Sequence, residues 1–309
     1  GQVGAGLVKT ATNESGTITY GYDADRNRTS VGYPDGSSVS YDYADNGQLQ
    51  TMTDITGAVT TYAYSDDGTM KSATQVRGSA TLASVSYGYD ALRRVKTITR
   101  GNGLVTTHTY TPNNLLATQT TVDKNANQIE AHSYSYDNHH NLTKRTDTTA
   151  KPSSCVVLCT TGASTYGTYT TTYGYDAYDR LTGSAVYSGT TTTGTPVTKL
   201  DYALDVSGNI TTTTRTTNLA TGTRKTLTVQ TTTNTFDDAS QLTGQTVGST
   251  SRQQTHDPQG RVTTSLSGST TTYRPDGLPA TVTVNGATTT YSYWPDGRRS
   301  KAVTTGGST

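Results

Sequence analysis

Apolar positions are sparse along this chain, and where they cluster they alternate with polar ones. The clearest cases are aromatic pairs two residues apart: Tyr20 with Tyr22, Tyr41 with Tyr43, Tyr62 with Tyr64, and Tyr87 with Tyr89. Further pairs are Tyr134 with Tyr136, Tyr173 with Tyr175, and Tyr291 with Tyr293. Residues two apart share one face of a β-strand, so each pair sets two rings on the same side of a sheet. Weaker copies centre on His108-Thr109-Tyr110, Tyr202-Ala203-Leu204, Asn234-Thr235-Phe236, Gln254-Thr255-His256 and Thr271-Thr272-Tyr273. The first copies are spaced by about one β-hairpin of chain, and no segment combines helical periodicity with a cap and a stop. The pattern predicts strands throughout.

The residues after each aromatic pair predict a turn. Asp23, Asp90, Asp137 and Asp176 stand directly after the second tyrosine, and Asp205, Asp237 and Asp257 hold the same place in weaker copies. A glycine and then a basic or polar residue and an aliphatic one come next, as in Gln259-Gly260-Arg261-Val262 and Ser207-Gly208-Asn209-Ile210. The aspartate carboxylate can accept backbone N–H groups at the start of a turn. The glycine supplies the positive φ that a short hairpin loop needs. The template is Tyr-x-Tyr-Asp-x-x-Gly-Arg-Leu, with the last two residues opening the return strand. Turn signals also mark the opposite hairpin ends: Pro34-Asp35-Gly36, Thr56-Gly57, Arg77-Gly78, Gly101-Asn102-Gly103 and Asn285-Gly286. Two stretches break the rhythm, at about 146–172 and 183–199, and read as loops or lengthened hairpins inside a single repeat domain spanning 1–309, with repeats over about 20–299.

Composition narrows the picture. Tyrosine contributes 22 residues against one phenylalanine and one tryptophan, and only 30% of the chain is hydrophobic. Thr and Tyr suit strands, and Gly and Asn suit turns. Scattered aliphatics suit a thin wall or a sheet with one apolar face better than a thick core. A net charge of +1 with no dominant Lys/Arg cluster gives no electrostatic footprint for nucleic acid. No apolar run approaches a membrane-spanning length of about 20 residues. The start, Gly1-Gln2-Val3-Gly4, reads as a processed chain or a piece of a longer one.

This template resembles the YD repeat of the RHS family, which includes bacterial RHS proteins, the shell-forming components of insecticidal toxin complexes, and teneurins. The resemblance runs from Tyr20 to Arg299 and is sharpest at Tyr20, Tyr87, Tyr134, Tyr173 and Tyr291. It implies hairpins joined into a spiralling β-sheet that forms a hollow shell, barrel or tube wall outside the cell. In bacterial members such a shell commonly surrounds a C-terminal toxin. Full-length members carry many more repeats than this chain. The self-cleaving aspartate core that ends bacterial repeat regions is not found. Asp257-Pro258-Gln259-Gly260 has a suggestive form but falls in the turn register of an ordinary copy.

Candidate chemistry is thin. His108 and His256 occupy aromatic positions of the repeat and read as packing residues. His139 and His140 sit in a turn with no third metal ligand placed by the sequence. The repeat aspartates follow the repeat, whereas catalytic residues usually break one, and no nucleophile elbow, phosphate loop or zinc motif is present. Cys155 and Cys159 are either a local disulfide in an oxidising compartment or two free thiols. Arg28, Arg94, Arg180 and Arg261 can lie over neighbouring rings or pair with the repeat aspartates, and tyrosines of successive hairpins can stack into ladders. Asn13, Asn27, Asn141 and Asn209 lie in glycosylation sequons. The sequence therefore reads as a non-catalytic structural protein without cofactor, catalytic residue or metal. Its expected partners are further copies or flanking repeats joined at strand edges, an encapsulated toxin, or glycans on a cell-surface adhesion module.

Overall fold

The computed structural model describes residues 3–4, 6–150, 166–221 and 224–306. Among these there are strands β1 to β28 in chain order and no helix, so the all-β expectation is borne out. The hairpin strands pair antiparallel with their neighbours in sequence, as β-hairpin repeats require. Cys155 and Cys159 lie outside the described residues.

The chain divides into two compact units. The first comprises residues 1–101 and 268–309. In it a meander runs from β3 (Thr10–Asn13) and β4 (Gly16–Tyr22) through β5 (Arg28–Gly32) to β9 (Met70–Arg77), β10 (Ala80–Tyr89) and β11 (Val95–Arg100). A second meander of this unit spans β25 (Thr270–Tyr273), β26 (Pro279–Val284), β27 (Ala287–Tyr293) and β28 (Arg299–Thr305). The first strands and the last hairpins of this unit are fastened by side chains. Asn13 Nδ2 donates to the Tyr293 carbonyl at 2.7 Å, Arg274 pairs with Glu14 at 2.6 Å, and Tyr33 stacks on Trp294 with centroids 4.9 Å apart. Arg298 covers the Tyr33 ring at 4.2 Å. Beneath them Ile18, Val31 and Tyr33 form an apolar cluster, flanked by Tyr20, Val39, Tyr41 and Trp294.

The second unit, residues 102–267, is a meander from β12 (Val105–Tyr110) through β13 (Leu116–Val122), β14 (Gln128–Tyr136), β15 (Leu142–Ala150) and β16 (Tyr166–Tyr175). It continues through β17 (Leu181–Ser188) and β18 (Thr198–Leu204) to β19 (Ile210–Thr221), β20 (Arg224–Phe236), β21 (Leu242–Val247) and β22 (Thr250–Gln253), and ends in the short hairpin of Thr255–His256 with Val262–Thr264. The irregular stretch at 146–172 is entered by the paired strands β15 and β16, which run in register from Lys144↔Thr172 to Ala150↔Tyr166. That at 183–199 is largely the β17–β18 hairpin, paired from Gly183↔Asp201 to Val186↔Thr198.

Threonine accounts for much of the cross-strand contact. Hydroxyl pairs join Thr106 to Thr121 at 2.9 Å, Thr146 to Thr170 at 3.1 Å, Thr148 to Thr168 at 3.1 Å and Thr283 to Thr288 at 2.8 Å. A hydroxyl both donates and accepts, so facing threonines satisfy one another, and their branched Cβ suits the pleat. Such pairs let the most enclosed part of β12 and β13 be polar: Thr106 and Thr121 are buried.

Candidate functional site: the repeated aspartate turn

In the copies where an aspartate follows the aromatic position, at Asp23, Asp90, Asp137, Asp176, Asp205, Asp237 and Asp257, the turn is built from that one carboxylate. At Asp90 the backbone N–H donates to the Arg94 carbonyl at 2.9 Å, and the Arg93 N–H returns to the Asp90 carbonyl at 3.0 Å. Inside that loop Oδ1 accepts the N–H groups of Leu92 (2.9 Å) and Arg94 (3.0 Å), and Oδ2 takes the Arg94 guanidinium at 2.7 Å from Nε. The same set recurs at Asp176 with Tyr178 and Arg180, and at Asp257 with Gln259 and Arg261. At Asp23, Asp137 and Asp205 an asparagine four residues on replaces the arginine, its Nδ2 reaching Oδ2 at 3.0, 3.2 and 2.8 Å. Asp123 and Asn127 build this turn at the opposite hairpin end as well. Three sequon asparagines, Asn27, Asn141 and Asn209, therefore spend their side-chain amides inside turns, and Asn13 spends its own on Tyr293.

The fourth turn position takes a left-handed backbone. Gly260 stands there with φ +78°, a conformation that costs glycine nothing. Arg93 (φ 61°), His140 (φ 70°) and Asp179 (φ 60°) take the same position without being glycine, which shows how strongly the carboxylate bonds dictate the loop. These bonds also hold the carboxyl groups of Asp90, Asp123, Asp137, Asp176, Asp205 and Asp257 below the ordinary aspartate range. At Asp90 the Arg94 guanidinium is the largest cause, and at Asp205 and Asp123 it is the side-chain amide of Asn209 and Asn127. At Asp137, Asp176 and Asp257 desolvation is the largest single influence and pushes upward, yet the hydrogen bonds together outweigh it.

Behind the turn, the ladder slips by one residue at every copy. Gly88 faces Thr97 while Tyr89 faces Val95, so Lys96 is an extra residue on the return strand. The same slip occurs at Tyr22, Tyr43, Tyr64, Tyr110, Tyr136, Tyr175, Leu204, Phe236, His256, Tyr273 and Tyr293. A bulge bends a strand and raises its twist, so a bulge per repeat curves the sheet by regular increments. Parity reasoning on tyrosine spacing alone does not reveal it. The signal was the constant distance from Asp to the aliphatic residue, which fixes an odd loop.

The second tyrosine of a copy ties that copy to the one before. Tyr22 donates its hydroxyl to the Val8 carbonyl at 2.9 Å, Tyr43 to Arg28 at 3.2 Å, and Tyr89 to Met70 at 2.7 Å. Tyr136 reaches Leu116 at 3.0 Å, Tyr175 reaches Leu142 at 2.9 Å, and Tyr293 reaches Pro279 at 2.8 Å. Most of these acceptors open the preceding return strand. Where the sequence suggested ring-on-ring ladders, these copies are joined by phenol-to-carbonyl bonds. The first tyrosines, Tyr20, Tyr41, Tyr62, Tyr87, Tyr134, Tyr173 and Tyr291, are half-buried on the same strands. Burial raises the phenol pKa of Tyr20, Tyr89, Tyr134, Tyr136, Tyr175 and Tyr293. Arg94, Arg180 and Arg261 bind their own aspartates, whereas Arg28 lies 5.5 Å over Tyr41.

Successive turns also touch. His139 Nδ1 meets Asp179 at 2.9 Å, Asn141 Nδ2 donates to the same carboxylate at 2.7 Å, Arg93 pairs with Asp67 at 3.3 Å, and Arg180 donates to the Asp205 carbonyl at 3.0 Å. On the strands, His132 lies between Asp147 at 2.6 Å and Glu130 at 3.6 Å. All three members belong to one hairpin: Glu130 stands two residues before His132 on β14, and Asp147 faces His132 on β15. His256 sits 3.3 Å from the Gln254 amide, and half-buried His108 keeps its Nδ1 out of solvent. Among the described residues no group of three or more acidic, histidine or cysteine side chains is placed to hold a metal ion. The chemical work of the arrangement is to fasten strand to strand and turn to turn.

Residues 4–38 match the family model of the RHS repeat. No curated protein sequence matches the chain. Among solved structures, the crystal structure of TcdB2-TccC3-Cdc42 matches with a TM-score of 0.68 at 17% identity, over 96% of this chain and 16% of that one. The TcdB2-TccC3 crystal structure gives the same values. The Photorhabdus luminescens Tc holotoxin pore, carrying TccC3-D651A, matches with a TM-score of 0.57 at 17% identity, over 93% of this chain and 14% of that one. The expectation of an RHS/YD-repeat fold is borne out. The chain spans about a sixth of the length of the chains it matches.

Proposed function

From a chain that carries an RHS repeat at residues 4–38 and shares the fold of Tc toxin structures along nearly all its length, we propose a structural role. The protein is a non-catalytic wall segment of a larger RHS shell that works outside the cell, and residues 1–309 act in it as one repeat domain. One observation carries this reading. The bulge recurs from Tyr22 to Tyr293, the carboxylate turn from Asp23 to Asp257, and the phenol-to-carbonyl tie at Tyr22, Tyr43, Tyr89, Tyr136, Tyr175 and Tyr293. The residues that would attract attention as acids or nucleophiles are therefore spent on turns and on joining neighbours. A wall made this way grows by adding hairpins, and the short coverage of the matched chains supports a segment rather than a whole enclosure. The matched structures are toxin complexes by name, which favours a shell around a toxic polypeptide over a surface fibre as the setting of this segment.

Cryo-electron microscopy of the full-length protein tests the reading. The expected outcome is a hollow particle whose wall contains residues 1–309 as consecutive hairpins, with density inside it for another part of the chain. A continuous filament, or a particle with these hairpins packed as a solid body, would overturn it.

A further inference from the structure

β19 and β20 form the longest hairpin of the protein, with strands of 12 and 13 residues. They pair without a single slip from Thr212↔Thr233 to Thr221↔Arg224. On its other side β20 is covered for less than half its length. β21 pairs with it only from Thr232 to Phe236, and the chain then turns back at Val247↔Thr250. The last backbone link is Gly248 N–H to the Thr231 carbonyl at 3.4 Å. Thr226 to Gln230 thus overhang, and all five are exposed, with Leu227 at 61% and Val229 at 58%.

The direction of the free backbone groups is set by that last link. Thr231 points its carbonyl away from β19, and alternate residues of a strand point their polar backbone groups the same way. Val229 and Leu227 therefore present N–H and C=O outward, with no partner strand among the described residues. Proteins usually blunt such an edge with a charge, a proline or a bulge. The overhang of β10 beyond β11 has one: a register shift lies between Thr81 and Ala83. Thr226-Leu227-Thr228-Val229-Gln230 has no charge, no proline and no bulge.

The segment is also its own complement. Turned about a two-fold axis at Thr228, it sets Leu227 opposite Val229 of a second copy, Thr226 opposite Gln230, and Thr228 opposite itself. Apolar meets apolar on one face and polar meets polar on the other. Leu227 and Val229 then become the hydrogen-bonded pairs of an antiparallel ladder, exchanging about four backbone bonds, while Thr228 is the close, non-bonded pair at the centre. Shifting the axis by one residue keeps the backbone groups matched but sets Val229 opposite Lys225, or Leu227 opposite Thr231, whose carbonyl is already bonded to Gly248, so the apolar match is lost.

We propose that the β20 edge from Thr226 to Gln230 is a self-association site, at which two copies of this chain pair antiparallel about Thr228. The site is independent of any shell, because it needs only the hairpin and its short neighbour β21.

The test uses the full-length protein and two readouts. In sedimentation velocity over a concentration series, the wild type should show a reversible monomer–dimer equilibrium. Val229→Pro should weaken it by about tenfold or more, since proline removes an outward donor and leaves the bonds to β19 intact. An unchanged circular dichroism spectrum shows that the hairpin remains folded. For register, Thr228→Cys in a Cys155→Ser/Cys159→Ser background should form an intermolecular disulfide on mild oxidation, since a central non-bonded pair brings Cα atoms to about 4.5 Å. Thr226→Cys, facing Gln230, should not. A strictly monomeric wild type overturns the proposal. So does a dimer that survives Val229→Pro or that cross-links as well through Thr226→Cys as through Thr228→Cys.

Discussion

In the unit formed by residues 1–101 and 268–309, the buried side chains are Ile18, Val31 and Tyr33, which cluster beside Trp294, together with Ala58 and Tyr293. In the unit formed by residues 102–267 they are Thr106, Thr121 and Thr170, with Ala185. The strands, bulges and turns of the two are alike, yet one closes its sheet with hydrocarbon and rings and the other with paired hydroxyls. The difference shows how a chain with 30% hydrophobic residues can build so much regular sheet. Apolar packing is concentrated where strands far apart in sequence must be held together, as Asn13 is to Tyr293. Elsewhere each strand is bonded to the next in the chain, loop closure is short, and a ladder with satisfied threonines suffices. A hydroxyl pair has one weakness that hydrocarbon lacks: when one member is removed the other remains buried and unpaired.

The largest effect is expected in the apolar cluster. Ile18 is fully buried, so Ile18→Ala should lower stability by about 2–5 kcal/mol, the range for deleting a core aliphatic side chain. Urea denaturation followed by circular dichroism measures it. A loss below about 1 kcal/mol would mean that the cluster relaxes around the cavity and that the two units are less different than their burial suggests.

The hydroxyl network comes next. Thr121 bonds the buried Thr106 hydroxyl at 2.9 Å and donates to the half-exposed Glu130 carboxylate at 3.0 Å. Thr121→Val keeps the shape and removes both bonds, and should cost about 1–3 kcal/mol. The exposed pair Thr109–Thr118, at 2.6 Å, supplies the control: Thr118→Val should stay within about 0.5 kcal/mol, because water replaces the lost hydroxyl. Equal losses at the two sites would show that burial of the hydroxyls is not what makes them matter.

The contrast between units was not legible in the sequence, although the repeat was. The Asp-to-aliphatic spacing gave the turn, the aromatic pair gave the strand, and together they gave the all-β fold class, because all three are local. Ile18 and Val31 look no different in sequence from Val105 or Val122. They are singled out by the return of Trp294 and Arg298 from the far end of the chain, and no local pattern encodes that. His132 differs, since its partners are local: Glu130 alternates with it and Asp147 faces it within one hairpin, and only the hairpin register shows that they meet. Positive φ at Arg93 and His140 was hidden for the opposite reason: the carboxylate bonds override the local preference that normally announces a glycine.

The smallest effect is expected in the turns, which the two units share. Asp90 and Asp205 both hold carboxyl groups below the ordinary range, the first through a guanidinium and the second through an amide. A carboxyl whose folded pKa is lowered binds fewer protons when folded than when unfolded. Its contribution is therefore complete above the unfolded value of about 3.9 and disappears as pH falls through the lower folded value. Thermal midpoints should be level at neutral pH and fall in acid. Asp90→Asn and Asp205→Asn keep an acceptor for the backbone N–H groups but lose the charge, so each should lie below the wild type at neutral pH and converge on it as the pH drops. The gap at neutral pH should be wider for Asp90→Asn, since Arg94 loses a charged partner at 2.6 Å while Asn209 loses only a neutral amide's acceptor. Equal gaps would mean that the two turns are interchangeable and that the units differ only in what they bury. A gap at Asp90 that persists in acid would mean that the arginine holds the turn by packing, with the charge contributing little.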